Sequence, residues 1–162
     1  MITEAIIDKV LEKFESQSVD YEQAVRSFAN RQPAIFSYLI GDNEGTFSQD
    51  EEDFLLYLAL AIYTSVEDAS EEEDLLGIGE EEITEAEEAN WSLMESSKAT
   101  DFQKRLDIFY ETSPEEDLMA FVEDALTGEA ENEEGEAFSI TPEGREPMFV
   151  MLKTVIDVLT AV

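Results

Sequence analysis

The sequence contains no cysteine and no histidine. The first absence excludes disulfides, thiolate nucleophiles and cysteine-ligated zinc. The second removes the commonest general base and the commonest metal ligand. Positive charge is scarce as well: 9 lysines and arginines stand against 41 aspartates and glutamates, a formal net charge of -32. Such a balance argues against direct nucleic-acid binding and against anionic membrane surfaces, because no basic patch exists to overcome the repulsion. Long apolar runs are missing too. The longest apolar stretches, 54–63 and 148–162, fall short of a membrane span, and the second carries Lys153 and Asp157. The opening residues Met1-Ile2-Thr3-Glu4-Ala5 lack a basic region followed by an apolar one. No signal peptide is therefore expected, and the expected location is cytoplasmic. Asn90-Trp91-Ser92 fits the glycosylation sequon but carries no weight without export.

What is present is enough to fold. Apolar residues make up 43% and aromatics 10% of 162 residues, sufficient for the core of one domain or of two small halves. Glutamate dominates the acids and favours helix. Helical spacing recurs along the chain. Thr3 is a candidate N-cap ahead of Ile6, Ile7, Val10, Leu11 and Phe14. Asp20 precedes Tyr21, Ala24, Val25 and Phe28; Pro33 can open a third helix and Gly41 close it. Asp42-Asn43-Glu44-Gly45 reads as a turn. Ser48 and Glu51 have capping-box spacing before a helix, 54–63, that is apolar on nearly every side and so belongs inside a bundle.

Residues 67–83 are rich in carboxylates without one lysine or arginine and read as an acidic connector, with a helix beginning near Thr84. Trp91 and Met94 mark that helix, and Phe102, Leu106 and Phe109 the next. Ser113-Pro114-Glu115-Glu116 has the form of a helix start, followed by Leu118, Phe121, Val122 and Leu126, with Gly128 as its stop. An acidic loop follows over 129–136. The last helix opens at Thr141-Pro142 or Glu146-Pro147 and is again apolar nearly all round. Phe138-Ser139-Ile140 is too short to carry a sheet. The expected fold is all-α: a compact bundle of about seven to eight helices, with an N-terminal unit at 1–66, the connector at 67–83 and a C-terminal unit at 84–162 around a shared core.

The two units echo each other at an offset of 81 residues. Thr3-Glu4-Ala5 matches Thr84-Glu85-Ala86, and the same offset pairs Ser16 with Ser97, Asp20 with Asp101, Phe28 with Phe109 and Pro33 with Pro114. Phe47-Ser48 pairs with Phe138-Ser139 at an offset of 91. Two duplicated four-helix units about a pseudo-two-fold would produce this pattern; so would coincidence in a glutamate-rich helical chain.

No motif specifies chemistry. Carboxylates are so abundant that any pair suited to acid–base work is better read as solvated surface. Di-iron bundles use Glu-x-x-His pairs, which cannot occur without histidine. Asp42-Asn43-Glu44-Gly45-Thr46 is oxygen-rich but fails the EF-hand pattern, its glycine being out of place. Gly77-Ile78-Gly79 follows no strand and precedes Glu80–Glu82, which would repel a phosphate. No spacing suggests a Ser–Lys dyad. No catalytic, cofactor-binding or metal residue is assigned, and no cofactor is expected.

The basic residues are clustered. None lies between Arg31 and Lys98 or between Arg105 and Arg145, whereas Lys9, Lys13, Arg26, Arg31, Lys98, Lys104 and Arg105 fall in corresponding parts of the two halves. One face of mixed charge and one wholly acidic face would follow. The function expected is a noncatalytic interaction module that binds a basic protein partner. The alternatives are a nucleic-acid mimic that inhibits a DNA-binding protein, a carboxylate enzyme with a divalent metal, and plain adaptation to a salty interior.

Self-repulsion on this scale is sensitive to screening. The thermal midpoint, followed by far-ultraviolet circular dichroism, is expected to rise as sodium chloride is taken from about 0.01 M to about 0.5 M and the Debye length contracts from about 30 Å to a few Å. A midpoint indifferent to salt would remove charge repulsion from the account of this fold.

Overall fold

The computed structural model describes residues 2–16, 20–41, 47–69, 78–131 and 137–160. Among them the chain forms α1 (Glu4–Glu15), α2 (Tyr21–Arg31), α3 (Pro33–Ile40), α4 (Gln49–Ala69), α5 (Glu80–Ser96), α6 (Phe102–Arg105), α7 (Asp107–Thr112), α8 (Glu116–Thr127), the strands β1 (Glu129–Glu131) and β2 (Ala137–Ser139), and α9 (Pro142–Thr160). Only Leu106 separates α6 from α7, so the pair is one helix broken at a buried leucine. The architecture is the expected all-α bundle.

Its axis is the pair α4 and α9, which pack on each other. In α9 every residue from Met148 to Ile156 is buried, and in α4 every residue from Leu58 to Tyr63. A helix enclosed over nine consecutive positions has no solvent face, which explains why its sequence lacks an amphipathic stripe. Around this axis α1 packs on α4, α5 and α8 pack on α9, and α2 and α3 pack on α4. The buried side chains form one continuous cluster from Ile2 to Leu159, with Phe28, Phe109 and Phe149 fully inaccessible. Phe109 meets Phe149 edge-on at 5.0 Å, and Phe28 lies 4.9 Å from Tyr63.

Several helix ends follow the sequence cues. Asp20 caps α2 by accepting from the Gln23 amide, Pro33 is the first residue of α3, and Gly41 and Gly128 terminate α3 and α8. Other ends do not. Thr3 occupies the N-cap position of α1 but makes no side-chain cap bond. Helix α5 starts at Glu80 behind Gly79, a turn before Thr84, because Ile83 is buried and Glu80–Glu82 sit on the positive end of the helix dipole. Helix α4 runs to Ala69. Both flanks of the expected connector 67–83 are therefore helical, and 70–77 lie outside the described residues. Helix α8 begins at Glu116 rather than at Pro114; the Ser113 hydroxyl accepts from the Glu115 amide in the turn before it. Helix α9 opens at Pro142, with Pro147 inside it, and Thr141 supplies the cap by accepting from the Gly144 amide at 3.2 Å. The expectation of no sheet is corrected by a small antiparallel ribbon in which Glu129 faces Ser139 and Glu131 faces Ala137. Backbone pairing needs no alternating pattern when each strand has three residues.

Carboxylates close helix ends across the fold. Ser48 and Glu51 form the expected capping box: the Glu51 amide donates to the Ser48 hydroxyl at 3.2 Å and the Ser48 amide to the Glu51 carboxylate at 3.0 Å. The other Glu51 oxygen accepts from the Thr141 amide at 3.1 Å and from its hydroxyl at 3.0 Å. One buried carboxylate thus fastens the N-termini of both central helices. Gly144 makes room for it, since a Cβ there would lie 2.7 Å from the Glu51 carboxylate oxygen and 3.0 Å from the Thr141 hydroxyl. Burial acts to raise the Glu51 pKa; donation from the Ser48 and Thr141 amides and hydroxyls outweighs it, and the net position is below the ordinary glutamate value.

Corresponding features recur in the two halves. Helix α2 and the α6–α7 pair span ranges 81 residues apart, and Asp20 and Asp101 both cap by accepting backbone donors. Ser16 and Ser97 are both helix C-caps. Helix α1 packs on α8 while α5 packs on α3. Gln32, just before α3, accepts from the Ile78 amide at 3.0 Å; Glu115, just before α8, accepts from the Ile2 amide at 3.0 Å.

These contacts make acid sensitivity two-sided. Glu123 is raised above the usual carboxylate range by burial and by the charges of Asp124 and Asp107, so the folded state takes up its proton first and gains stability as pH falls through that range. Glu51, being lowered, contributes stability that is present above about 4.3 and is lost as pH falls through its folded value. Urea midpoints are expected to rise from pH 7 towards about 5 and to fall below about 4. Gly144→Ala and Glu51→Ala should each cost about 1–3 kcal/mol in the same titration, through a forced displacement of the carboxylate and through buried unpaired amides respectively. Wild-type stability in both variants would show that the clasp is ornamental.

Candidate functional site

Helix α5 carries the largest uncompensated charge on a regular element among the described residues. Its positions Glu81, Glu85, Glu88, Ser92 and Glu95 are all exposed, and their spacing of four, three, four and three residues places them on one stripe. The stripe extends over about 20 Å at the usual helical rise. The opposite stripe holds the buried Ile83, Asn90 and Met94, which pack towards α9. Local sequence therefore decides the orientation: apolar and amide groups turn inward, carboxylates outward. Helix α5 contains no lysine or arginine, so like charges at neighbouring turns repel without relief. Glu80–Glu82 favour its N-terminus electrostatically. At the other end Arg105 donates to the Met94 carbonyl at 2.8 Å and to the Ala99 carbonyl at 3.2 Å, placing positive charge on the C-terminal carbonyls. Its Nε lies 2.5 Å from the Glu146 carboxylate.

Two further cations, Arg31 and Lys13, serve neighbouring acids. The last turn of α4 carries Glu67 and Asp68 on the negative end of its dipole. Arg31 meets Glu67 at 2.5 Å and Lys13 meets Asp68 at 3.4 Å, while the Tyr63 hydroxyl donates to Glu67 at 3.2 Å. The basic clusters seen in the sequence thus include intramolecular tethers on α1 and α2. Among the described residues the exposed stripe of α5 has none.

A second polar group lies inside the bundle where α3, α5 and α9 meet. Lys153 is only 5% exposed and Thr154 and Asn90 still less. The Lys153 ammonium pairs with Asp157 one turn on. Asn90 donates to Asp157 at 3.0 Å and to the Thr154 hydroxyl at 3.2 Å, and Thr154 donates to the Val150 carbonyl at 2.7 Å. Burial, reinforced by Glu87, raises the Tyr38 phenol well above its ordinary value. The sequence reading missed this network because Lys153 and Asp157 look like polar interruptions of an apolar helix. Only packing shows that the lysine stem is enclosed while Asp157 reaches the margin. The same packing accounts for Asn90-Trp91-Ser92: its asparagine amide is buried and hydrogen-bonded, not presented as an acceptor for glycosylation.

Sites weighed from sequence fall as follows. The loop 42–46 lies outside the described residues, as does Gly77. Gly79 is the N-cap of α5, directly before the three glutamates. Among the described residues no group of three or more acidic side chains is placed to hold a metal ion, and no helix is long and apolar enough to cross a membrane. Compared with protein-family models, curated proteins and solved structures, the chain matches none.

The α5 stripe should cost stability in the isolated protein. Glu85 has a like charge on either side, at Glu81 and Glu88, so Glu85→Gln is expected to raise the thermal midpoint by about 1–3 °C at low salt, with a smaller gain at high salt. An unchanged or lowered midpoint would mean that the row is already compensated.

Proposed function

We propose that this chain is a noncatalytic interaction module that presents an acidic helical face to a basic protein partner. The observation that carries the reading is the α5 stripe: exposed carboxylates at helical spacing, held by packing from behind and opposed by no cation on the same helix. Excess like charge costs stability where it stands. Fixing it on a rigid, buried-backed helix pre-organises an electrostatic counterpart for basic side chains, which speeds encounter and confers salt-sensitive affinity. A cytoplasmic setting is part of this proposal.

A second reading is nucleic-acid mimicry. The regular axial order of Glu81, Glu85, Glu88 and Glu95 favours it over a scattered acidic surface, since a phosphate backbone also presents negative charge at fixed intervals. The two readings separate by competition: a mimic is displaced from its target by duplex DNA, and an ordinary interaction module is not.

We also propose that the two halves are duplicated four-helix units. The support is the match of α2 to the α6–α7 pair at an offset of 81 residues, with Asp20 and Asp101 as N-caps and Ser16 and Ser97 as C-caps. A single-unit relative that pairs with itself through the counterpart of α4 and α9 is the expected natural parallel; relatives whose halves are structurally unlike would count against duplication.

Binding is testable with a fluorescent lysine-rich peptide. Affinity is expected to weaken at least about tenfold between about 0.05 and about 0.3 M salt. Neutralising Glu81, Glu85, Glu88 and Glu95 to glutamine should weaken it more than neutralising Asp8, Glu12, Glu111 and Asp124. Equal effects of the two quadruple variants would reject α5 as the binding face.

A further inference from the structure

Three aromatic rings form a triangle at the junction of α1, α2 and α4. Phe14 and Tyr57 lie 5.9 Å apart at 59°, Phe14 and Tyr21 6.3 Å apart at 83°, and Tyr21 and Tyr57 6.2 Å apart at 40°. Phe54 stacks on Tyr57 at 6.4 Å and 10°. Burial sets this group apart. Among the described residues the other two ring clusters each contain fully inaccessible rings: Phe28 in one, Phe109 and Phe149 in the other. Here all four rings are only partly buried. All four rings therefore keep some contact with water while packing against the core.

The charged residues next in sequence to these rings are mostly acidic: Glu15, Asp20, Glu22 and Asp53 are exposed, and the one cation, Lys13, is paired with Asp68 at 3.4 Å. The charge of Glu15 reaches the Tyr57 phenol and, after burial, helps to raise its pKa. The negative ring faces of aromatics attract cations, and carboxylates beside them add to that field. The triangle is of suitable size. A cation seated about 3–4 Å above its centre lies within about 6 Å of all three centroids, the range over which the attraction operates.

We infer that Phe14, Tyr21 and Tyr57, with Glu15 beside them, form a docking point for an arginine side chain of a basic protein. Arginine fits better than lysine. Its planar guanidinium stacks on a ring face while its N–H groups remain free to meet a carboxylate, and it is weakly hydrated, so partial desolvation against the rings costs less. The docking point goes beyond the α5 reading: it uses none of the α5 residues and stands or falls on its own rings.

The test uses the full chain and two peptides of equal charge, one carrying arginine and one carrying lysine at the same positions. Titration of the wild-type protein with the arginine peptide is expected to shift the NMR ring resonances of Phe14, Tyr21 and Tyr57. Phe14→Leu and Tyr57→Leu should each weaken the arginine peptide about two- to fivefold and the lysine peptide less, whereas Tyr57→Phe, which keeps the ring, should bind like wild type. The wild-type shifts decide the matter even if a leucine variant fails to fold. Unperturbed rings, leucine variants that fold and bind normally, or displacement of the peptide by millimolar tetramethylammonium with no preference for arginine over lysine would each overturn the assignment. If the rings fail this test while the α5 quadruple variant still loses affinity, the docking point is wrong and the α5 face survives. A wild-type chain that shows no salt-sensitive binding to either peptide would instead remove the α5 reading.

Discussion

The packing of α4 against α9 is the constraint on which everything else in this molecule depends. A chain with a formal charge of -32 repels itself at every pH where its carboxylates are ionised, and repulsion of that kind favours expansion. It is opposed by two packed helices whose central stretches, Leu58–Tyr63 and Met148–Ile156, are buried at every position. Burial of this extent concentrates the hydrophobic driving force in the centre, where the excess charge does not reach, and leaves the acids on the outside, where water and salt screen them.

Given so few cations, the fold satisfies its helix ends largely with acids. Glu51 serves α4 and α9 at once, Glu115 and Asp117 accept from the Ile2 and Glu4 amides at the start of α1, and Asp20 and Asp101 cap their own helices. Each places negative charge at a positive dipole end, where it is favourable. The scarce cations go where acids cannot serve: Arg105 to the C-terminal carbonyls of α5, Arg31 and Lys13 to the acidic last turn of α4. Several carboxylates thus have a structural role that others lack. The outer stripe of α5 caps nothing and pairs with no cation on its helix.

That contrast gives the proposed interaction face its physical content. Acidity alone is uninformative in this chain, since it is everywhere. Acidity fixed in a row, backed by Ile83, Asn90 and Met94, is a local departure from the economy seen elsewhere, and such departures concentrate at functional positions. The partly exposed rings of Phe14, Tyr21, Phe54 and Tyr57 are a second departure, of the opposite kind. There apolar surface is left near water on a molecule that otherwise buries its aromatic clusters around fully inaccessible rings.

The sequence by itself determined the helical class, the two enclosed helices and the ends written in local chemistry. Asp20 before Tyr21, Pro33 at a first turn, Ser48 three places ahead of Glu51 and Gly128 after Leu126 all act within a few residues, and interactions of that range are legible in order along the chain. The α5 stripe was present in the spacing of its glutamates but was dissolved into an acidic connector, because without knowing that Ile83 is buried there is no reason to start the helix before Thr84. Only the tertiary structure decided the rest. Glu51 reaches Thr141 across 90 residues, Glu115 reaches Ile2 across 113, and Asn90 meets Asp157 across 67. Among 41 interchangeable acids, proximity of this kind leaves no trace in local pattern, since what distinguishes one carboxylate from another is the set of donors that packing brings within 3 Å or so of it.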